Sequence, residues 1–227
     1  MFLSKMETHL QRILSEASSA IGVRLGEREL VLFQEYHREL LLWNTKINLV
    51  SVKSDVDIPI KHFIDSLTPL QFIENKKSAL LDIGTGAGFP GIPLKIAENR
   101  LRVTLVDSSR KKTSFLKNII RKLQLDHITI INRRFDLLMQ DETYRDTFDV
   151  IISRASFKLP QFLEIGGAFI SPGGILIAMK GANISEELKQ AEEIAQRIGW
   201  KHAGCHEIRL PVIGDFRKII IYKKLRN

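Results

Sequence analysis

Apolar positions in the first 75 residues recur at helical spacing. Leu10, Ile13, Leu14 and Ala17 fall on one face of a helix, and Leu30, Phe33, Leu40 and Trp43 on one face of a second helix that follows Gly26. A third helix is predicted from Pro59 to about Ile73, with Ile60, Phe63, Ile64 and Leu67 on one face. From residue 76 the period changes. Short aliphatic or β-branched runs at 79–83, 102–106, 128–131, 150–153 and 175–179 alternate with helical stretches at 91–98, 110–124, 158–170 and 184–199. That alternation predicts βαβ units and a parallel sheet covered on both faces. The last two runs, 203–210 and 218–222, are joined by residues 211–217, too few for a crossover helix, so they should pair antiparallel. The expected architecture is α/β: a Rossmann-like doubly wound sheet with an antiparallel last strand, residues 76–227, preceded by a helical cap, residues 1–75.

One segment stands out against this frame. LLDIGTGAGFPG, residues 80–91, runs from the end of the first predicted strand into the next helix. Gly84, Gly86 and Gly88 permit positive φ and let a ligand reach the backbone, and Pro90 suits the first turn of the helix. Two ligand templates fit. Gly86, Gly88 and Gly91 match the dinucleotide pattern GxGxxG, with Asp107 about 20 residues further on as ribose acceptor. Asp82, Gly84, Gly86 and Gly88 match the D/E-x-G-x-G-x-G loop of proteins that bind S-adenosylmethionine. The second is favoured, because Asp82 at the strand end would repel a pyrophosphate but suits a cationic amino group and a sulfonium. In either template Asp107 accepts both ribose hydroxyls; its other role would be to cap the helix near Arg110, which Ser108 or Ser109 can also do.

The charge is unevenly placed. The chain carries 34 Lys and Arg against 26 Asp and Glu, a net +8. Residues 1–79 are balanced at ten of each, so the excess lies beyond them. Between Ser108 and Arg134, Arg110, Lys111, Lys112, Lys117, Arg121, Lys122, Arg133 and Arg134 face Asp126 alone, and Arg217, Lys218, Lys223, Lys224 and Arg226 form a C-terminal group. Such clusters attract a polyanion, nucleic acid above all, unless they are no more than a solvated helix face and tail. With 44% apolar and 26% charged residues the chain is not a disordered one. No apolar run approaches a membrane span of roughly 20 residues, and Lys5, Glu7 and His9 interrupt any signal-peptide block. The single Cys205 excludes an internal disulfide and suits a reducing cytoplasm. His202 and His206 flank it, but in a regular strand they share a face from which position 205 points away, so no metal site is expected.

Several familiar chemistries lack their motifs: nucleophile elbow, P-loop and HExxH are missing. After the fourth strand, amino-methylating enzymes carry an Asp/Asn-Pro-Pro-aromatic box and cytosine-C5 enzymes a Pro-Cys; here the residues are DVIISRA, 149–155. Guanine N7 needs neither, since it has an in-plane lone pair and no proton to lose.

WNTKINLVS (43–51), HFIDSL (62–67), LLDIGTGAGFPGIPL (80–94), LVDSSRKKTSFL (105–116), ISRA (152–155) and AMKG (178–181) together resemble the RsmG family, also called GidB, in order from about Tyr36 to the C-terminus. These are bacterial methyltransferases that modify guanine N7 in a decoding-region hairpin of 16S rRNA in the small ribosomal subunit. The resemblance implies a class I S-adenosylmethionine-dependent methyltransferase fold with an N-terminal helical extension. It also implies that Gly84, Gly86, Gly88 and Phe89 line the methionine end of the cofactor, that Asp107 and Ser108 take the ribose, and that Phe135 and Asp136 border the adenine. Many members have a small or apolar residue followed by Glu at that last position, whereas this chain reads RRFDLL. Arg154 would sit at the cofactor pocket facing the target base, giving one hydrogen bond to guanine O6; its structural alternative is a salt bridge with Asp149 or Asp82. His62 and Asn48 either face the base or make buried polar contacts in the cap. The resemblance places Arg110, Lys111, Lys112, Lys117 and Arg121 on RNA. Lys180 either approaches phosphate or caps a carbonyl. The expected protein is a cytoplasmic monomer acting on rRNA in the subunit or its assembly intermediate. Two rivals remain: an NAD(P)-dependent oxidoreductase, and a non-catalytic RNA-binding protein on the same fold.

Overall fold

The computed structural model describes residues 2–225, with side chains from residue 9 onward; Arg226 of the C-terminal basic group lies outside them. Its sheet contains β1 (Ala79–Ile83), β2 (Arg102–Val106), β3 (Ile128–Ile131), β4 (Phe148–Arg154), β5 (Ile170–Lys180), β6 (Trp200–Arg209) and β7 (Phe216–Lys224). Their order is β3-β2-β1-β4-β5-β7-β6. The first five strands pair in parallel, and β7 lies antiparallel between β5 and β6. The chain winds outward from β1 through β2 to β3 and then crosses to β4 on the other side. The crevice at the carboxyl ends of β1 and β4 is therefore the topological switch point, where open α/β sheets hold ligands.

Each central strand is apolar on both faces, as a covered parallel strand must be. Leu80, Val150 and Ile152 point to one face, Leu81, Ile83 and Ile151 to the other. The second face carries α6 (Phe135–Leu138), α7 (Leu159–Gly167) and α8 (Ser185–Arg197). The first carries α4 (Gly91–Ala97), α5 (Arg110–Lys122) and the N-terminal helices α1 (Phe2–Ala20) and α2 (Glu27–Asn44). Leu14 and Ala17 of α1 and Phe33, Tyr36 and Leu40 of α2 are buried in one continuous core with Leu80, Leu94 and Phe115. At ~1.5–3 kcal/mol for each large apolar side chain removed from water, this stripe accounts for the seating of both helices on the sheet. A polar tie adds to it: Glu39 of α2 is buried and accepts from Asn118 Nδ2 at 2.7 Å and Lys122 Nζ at 2.5 Å, both on α5.

Three elements depart from the sequence pattern. The third N-terminal helix, α3 (residues 57–72), is not one regular helix. It is π-helical over Asp57–Ile64, α-helical over Asp65–Leu67 and 3₁₀-helical over Thr68–Phe72. Ile58, Pro59, Ile60, Phe63, Ile64 and Leu67 are all buried, so packing surrounds it on more than one stripe and overrides the α period. The helix expected over 158–170 stops at Gly167, and β5 begins five residues earlier than expected. Its register against β4 shifts between the Phe148 and Val150 pairs, and Gly173 at φ +82° lies in the stretch that absorbs the slack. In β6 a bulge between His202 and Gly204 breaks simple alternation. His202 packs against Tyr222 and His206 against Phe72, both with tilted rings, so the two imidazoles do not share a face. Among the described residues no helix is long and apolar enough to cross a membrane.

Candidate functional site

The turn leaving β1 is held by its own aspartate. Asp82 is fully buried; its Oδ2 accepts from Thr85 Oγ1 at 2.6 Å and from the Gly91 backbone N–H at 2.8 Å, lashing both ends of the glycine loop to the strand. Its Oδ1 has no partner among the described residues. Burial pushes the Asp82 carboxyl up to about 7, against the pull of those two hydrogen bonds and of Arg154. Gly84, Gly86 and Gly88 all have positive φ. A Cβ at Gly84 would lie 2.7 Å from Ser156 Oγ, and one at Gly88 would lie 2.5 Å from Ile92 Cδ1 and 2.8 Å from the Tyr36 hydroxyl. At Gly86 it would meet nothing within 4 Å among the described residues. Two of the glycines let the loop pack inward, and one keeps its outer side open. Pro90 is the residue before α4 rather than its first turn, and Tyr36 donates to the Ala87 carbonyl at 2.5 Å from beneath.

Asp107, at the end of β2, accepts from the Gly86 N–H at 2.9 Å through Oδ2 and from the Ser109 N–H at 2.8 Å through Oδ1. Each oxygen keeps a second lone pair for a hydroxyl donor. Ser109, not Asp107, caps α5. Beside it lies a cavity of about 350 Å³ that Gly84, Asp107, Ser108, Phe135 and Phe157 help to line. Phe135 meets Phe157 edge to face, ring centres 5.1 Å apart, giving an aromatic wall. Asp136 does not line this cavity, because its carboxylate is held in two hydrogen bonds by Arg134; the expected adenine border reduces to Phe135. These features suit S-adenosylmethionine: a backbone approach left open at Gly86, a two-oxygen acceptor for the ribose, an aromatic wall for the adenine, and an unsatisfied buried carboxylate oxygen.

A second cavity, about 500 Å³, opens between α3 and the carboxyl ends of β4 and β5; Asp57, Lys61, His62, Asp65, Arg154 and Arg217 are among its lining residues. Arg154 ends β4. It donates from Nη1 to the Lys61 carbonyl at 3.0 Å and to Asp65 Oδ2 at 3.5 Å, and from Nη2 to His62 Nδ1 at 3.0 Å. Its guanidinium lies over the Phe89 ring, 4.9 Å from the centroid. The expected alternative partners, Asp149 and Asp82, are not the ones it bonds. Phe89, expected at the methionine end of the cofactor, has its ring buried near Tyr36 and His62, beneath the Arg154 guanidinium, and does not line the cavity beside Asp107. Because an arginine only donates, His62 Nδ1 is the acceptor and Nε2 carries the proton. Burial, reinforced by the Arg154 charge, pushes the His62 imidazole down to about 4.

The basic residues sort into two groups. Arg110, Lys111, Lys117 and Arg121 are exposed on α5, and Lys112 is partly so. Asn48, expected in the cap interior or at the base, is exposed and shares a shallow cleft with Lys46, Lys111 and Lys112; the loop contacts, half-buried, belong to Asn44 instead. Lys122 is tied to Glu39 and Glu35, Arg133 to Asp141, and Arg134 to Asp136. Lys180 caps the Phe157 carbonyl at 2.5 Å and pairs with Glu187 at 2.7 Å, so its assignment to RNA is withdrawn. Sequence reasoning missed Thr85, Phe157, Asp65 and Arg217 as parts of these sites. Thr85 and Asp65 had a signal, their places in the glycine-loop and HFIDSL motifs.

The comparisons with known proteins agree with this geometry. Residues 29–210 match the family described as rRNA small subunit methyltransferase G. A ribosomal RNA small subunit methyltransferase G from Syntrophus aciditrophicus is 46% identical over 94% of this chain and 89% of its own length. One from Acetivibrio thermocellus is 38% identical over 99% and 93%. Among solved structures, TYW2 of M. jannaschii, in complex with AdoMet, superposes with a TM-score of 0.55 at 18% identity, covering 73% of this chain and 76% of that one; at that identity it shows a shared fold. The fold is that of the class I S-adenosylmethionine-dependent methyltransferases, S-adenosylmethionine is the cofactor, and the chain belongs to the GidB family of rRNA small subunit methyltransferase G proteins.

Proposed function

We propose that this protein methylates N7 of a guanine in the decoding-region hairpin of 16S rRNA, acting as a cytoplasmic monomer on the small subunit or its assembly intermediate. In this reading residues 1–75 serve as a cap over the acceptor side of a methyltransferase domain, residues 76–227. The observation that carries it is the state of the proton acceptors in the cavity beside Arg154. Asp57 accepts from Lys61, at 2.7 Å, and from the Lys53 and Ser54 N–H groups, which together hold its carboxyl well below the usual range. Asp65 is engaged by Arg154 and Arg217, and His62 presents an N–H rather than a lone pair. Asp65 Oδ1 has no partner among the described residues but is buried from solvent, so the acceptors that the cavity exposes are already committed. Such a cavity suits an acceptor atom that has a lone pair and no proton, as guanine N7 does.

When bound, S-adenosylmethionine supplies a methyl group made electrophilic by a sulfonium. The loop backbone at Gly84 and Gly86, Asp107, Ser108 and the Phe135 wall would hold it. Of the five N–H groups of Arg154, three are spent on Lys61, Asp65 and His62, which leaves two for the base; one hydrogen bond to O6 orients guanine without covering N7. The test is methyl transfer to small subunits from cells lacking this protein, followed by mapping of the modified atom. Label at a guanine N7 in the decoding-region hairpin is the expected result; label on an exocyclic amine, a ribose hydroxyl or a pyrimidine carbon would overturn the proposal.

The free cations on α5 give a prediction for binding. Lys111→Glu with Lys112→Glu should weaken RNA binding and reduce the slope of log K against log salt by roughly 1.5, as for two lost single-strand phosphate contacts. Fluorescence anisotropy from 50 to 300 mM salt measures it, and an unchanged slope would return α5 to a solvated face.

A further inference from the structure

Arg154 is held almost entirely by one turn of the cap. One turn of α3, running from its widened stretch into its α-helical part, brings the Lys61 carbonyl, the His62 ring and the Asp65 carboxylate onto a single guanidinium. Asp65 is 3% exposed, and its Oδ2 serves two cations at once: Arg154 Nη1 at 3.5 Å, from β4, and Arg217 Nε at 3.2 Å, from β7. Its Oδ1 has no partner among the described residues. One carboxylate therefore neutralises two guanidiniums from different strands at the edge of the cavity beside the cofactor loop. Without it, Arg154 would lose the ligand that fixes its Nη1 side, and Arg217 would keep only the more exposed Asp215, at 3.8 Å, as a counter-charge.

We propose that Asp65 is a positioning residue for methyl transfer: it acts through Arg154, setting the angle from which that guanidinium meets the acceptor base, and Arg217 holds Asp65 in place from β7. The inference rests on the reading above that Arg154 faces the base. It gives work to two residues outside the cofactor loop and explains why the cap and the C-terminal hairpin meet at this point. Arg217 then belongs to the site and not to the soluble basic tail in which its sequence places it.

The test compares purified full-length Asp65→Asn, Asp65→Glu, Arg217→Gln and Asp65→Asn/Arg217→Gln with wild type. It measures the dissociation constant for S-adenosylmethionine, the dissociation constant for RNA, and the single-turnover methylation rate with both saturating. Asp65→Asn keeps shape and loses charge, and it should slow the single turnover by ~10–100-fold, the range expected for a misplaced positioning group. Cofactor affinity should stay within about threefold, because Asp65 does not reach the glycine loop. Asp65→Glu should recover part of the rate, and the double variant should be no slower than Asp65→Asn alone, since both changes break one chain of contacts. Wild-type rate in Asp65→Asn, or loss of cofactor binding in step with rate, would overturn the proposal. So would multiplying losses in the double variant. Should Asp65→Asn fail to fold, Arg217→Gln, at a side chain 23% exposed, carries the same comparison, with several-fold slowing expected and none overturning it. The rate is scored on whichever position wild type methylates. A mark elsewhere than guanine N7 therefore removes the proposed function and still decides whether Asp65 positions Arg154.

Discussion

Gly86→Ala should cost the protein its cofactor and leave its fold, whereas Gly88→Ala should do the reverse. Both residues have positive φ, +62° and +101°. A Cβ at Gly86 enters open space, so the variant bears only the left-handed backbone strain of ~1–2 kcal/mol. On the proposed reading that open space is the side from which S-adenosylmethionine reaches the loop backbone, so filling it should weaken binding by roughly 100-fold or more, ~3 kcal/mol. At Gly88 the new atom would overlap Ile92 and the Tyr36 hydroxyl, both buried, where neither can yield without opening the cap. Overpacking together with a φ outside the usual left-handed well should destabilise by ~3–5 kcal/mol and lower the melting temperature by more than 10 °C. Calorimetric titration with S-adenosylmethionine and thermal melting separate the two outcomes. Gly86→Ala binding like wild type would show that the cradle is not the cofactor's. The same titration with a nicotinamide dinucleotide should give no heat, which disposes of the oxidoreductase rival.

What the sequence made legible follows from where local rules govern. The first three strands begin and end where their aliphatic runs do, because each is flanked by breakers or by the loop residues themselves. The glycine loop was readable because positive φ demands a residue type, and Asp82 and Asp107 because the strand ends deliver them to one crevice. The π-helical turn of α3 was not readable: its apolar residues face several directions, and only the packed whole decides the pitch. Asp65 and Arg217 are 152 residues apart and meet only because β7 is inserted beside β5. Lys180 and Lys122 look like free cations in the chain and are spent on Glu187 and Glu39, partners that sequence spacing does not announce. Local composition pointed to the glycine loop and Asp107; the cavity beside Arg154 is made of long-range contacts.

Cofactor affinity should rise with pH through neutrality, and Asp82 should be the reason. Its carboxyl stands near 7 in the folded protein because burial, the largest cause, outweighs the Thr85 and Gly91 hydrogen bonds and the Arg154 charge. In an unfolded chain it would titrate near 3.8. A raised folded value means that the free protein holds a proton the unfolded chain gives up. This contribution to stability is complete below about 3.8 and is lost as pH climbs through about 7. A bound cation, amino group or sulfonium, favours the ionised carboxylate and should expel that proton. Below neutrality the dissociation constant for S-adenosylmethionine should therefore tighten by up to about tenfold per pH unit, then level off above pH 8. Titrations in buffers of different ionisation enthalpy should show a proton released at pH 6 and almost none at pH 8.5. Asp82→Asn keeps an oxygen for Thr85 and the Gly91 N–H but cannot ionise. It should flatten both the pH dependence of affinity and the loss of free-protein stability between pH 5 and 8. Asp82→Ala also leaves the buried Gly91 N–H without an acceptor and should cost a further ~1–3 kcal/mol of fold stability. A wild-type affinity constant from pH 5.5 to 8.5 would disconnect Asp82 from the methyl donor and confine it to lashing the loop.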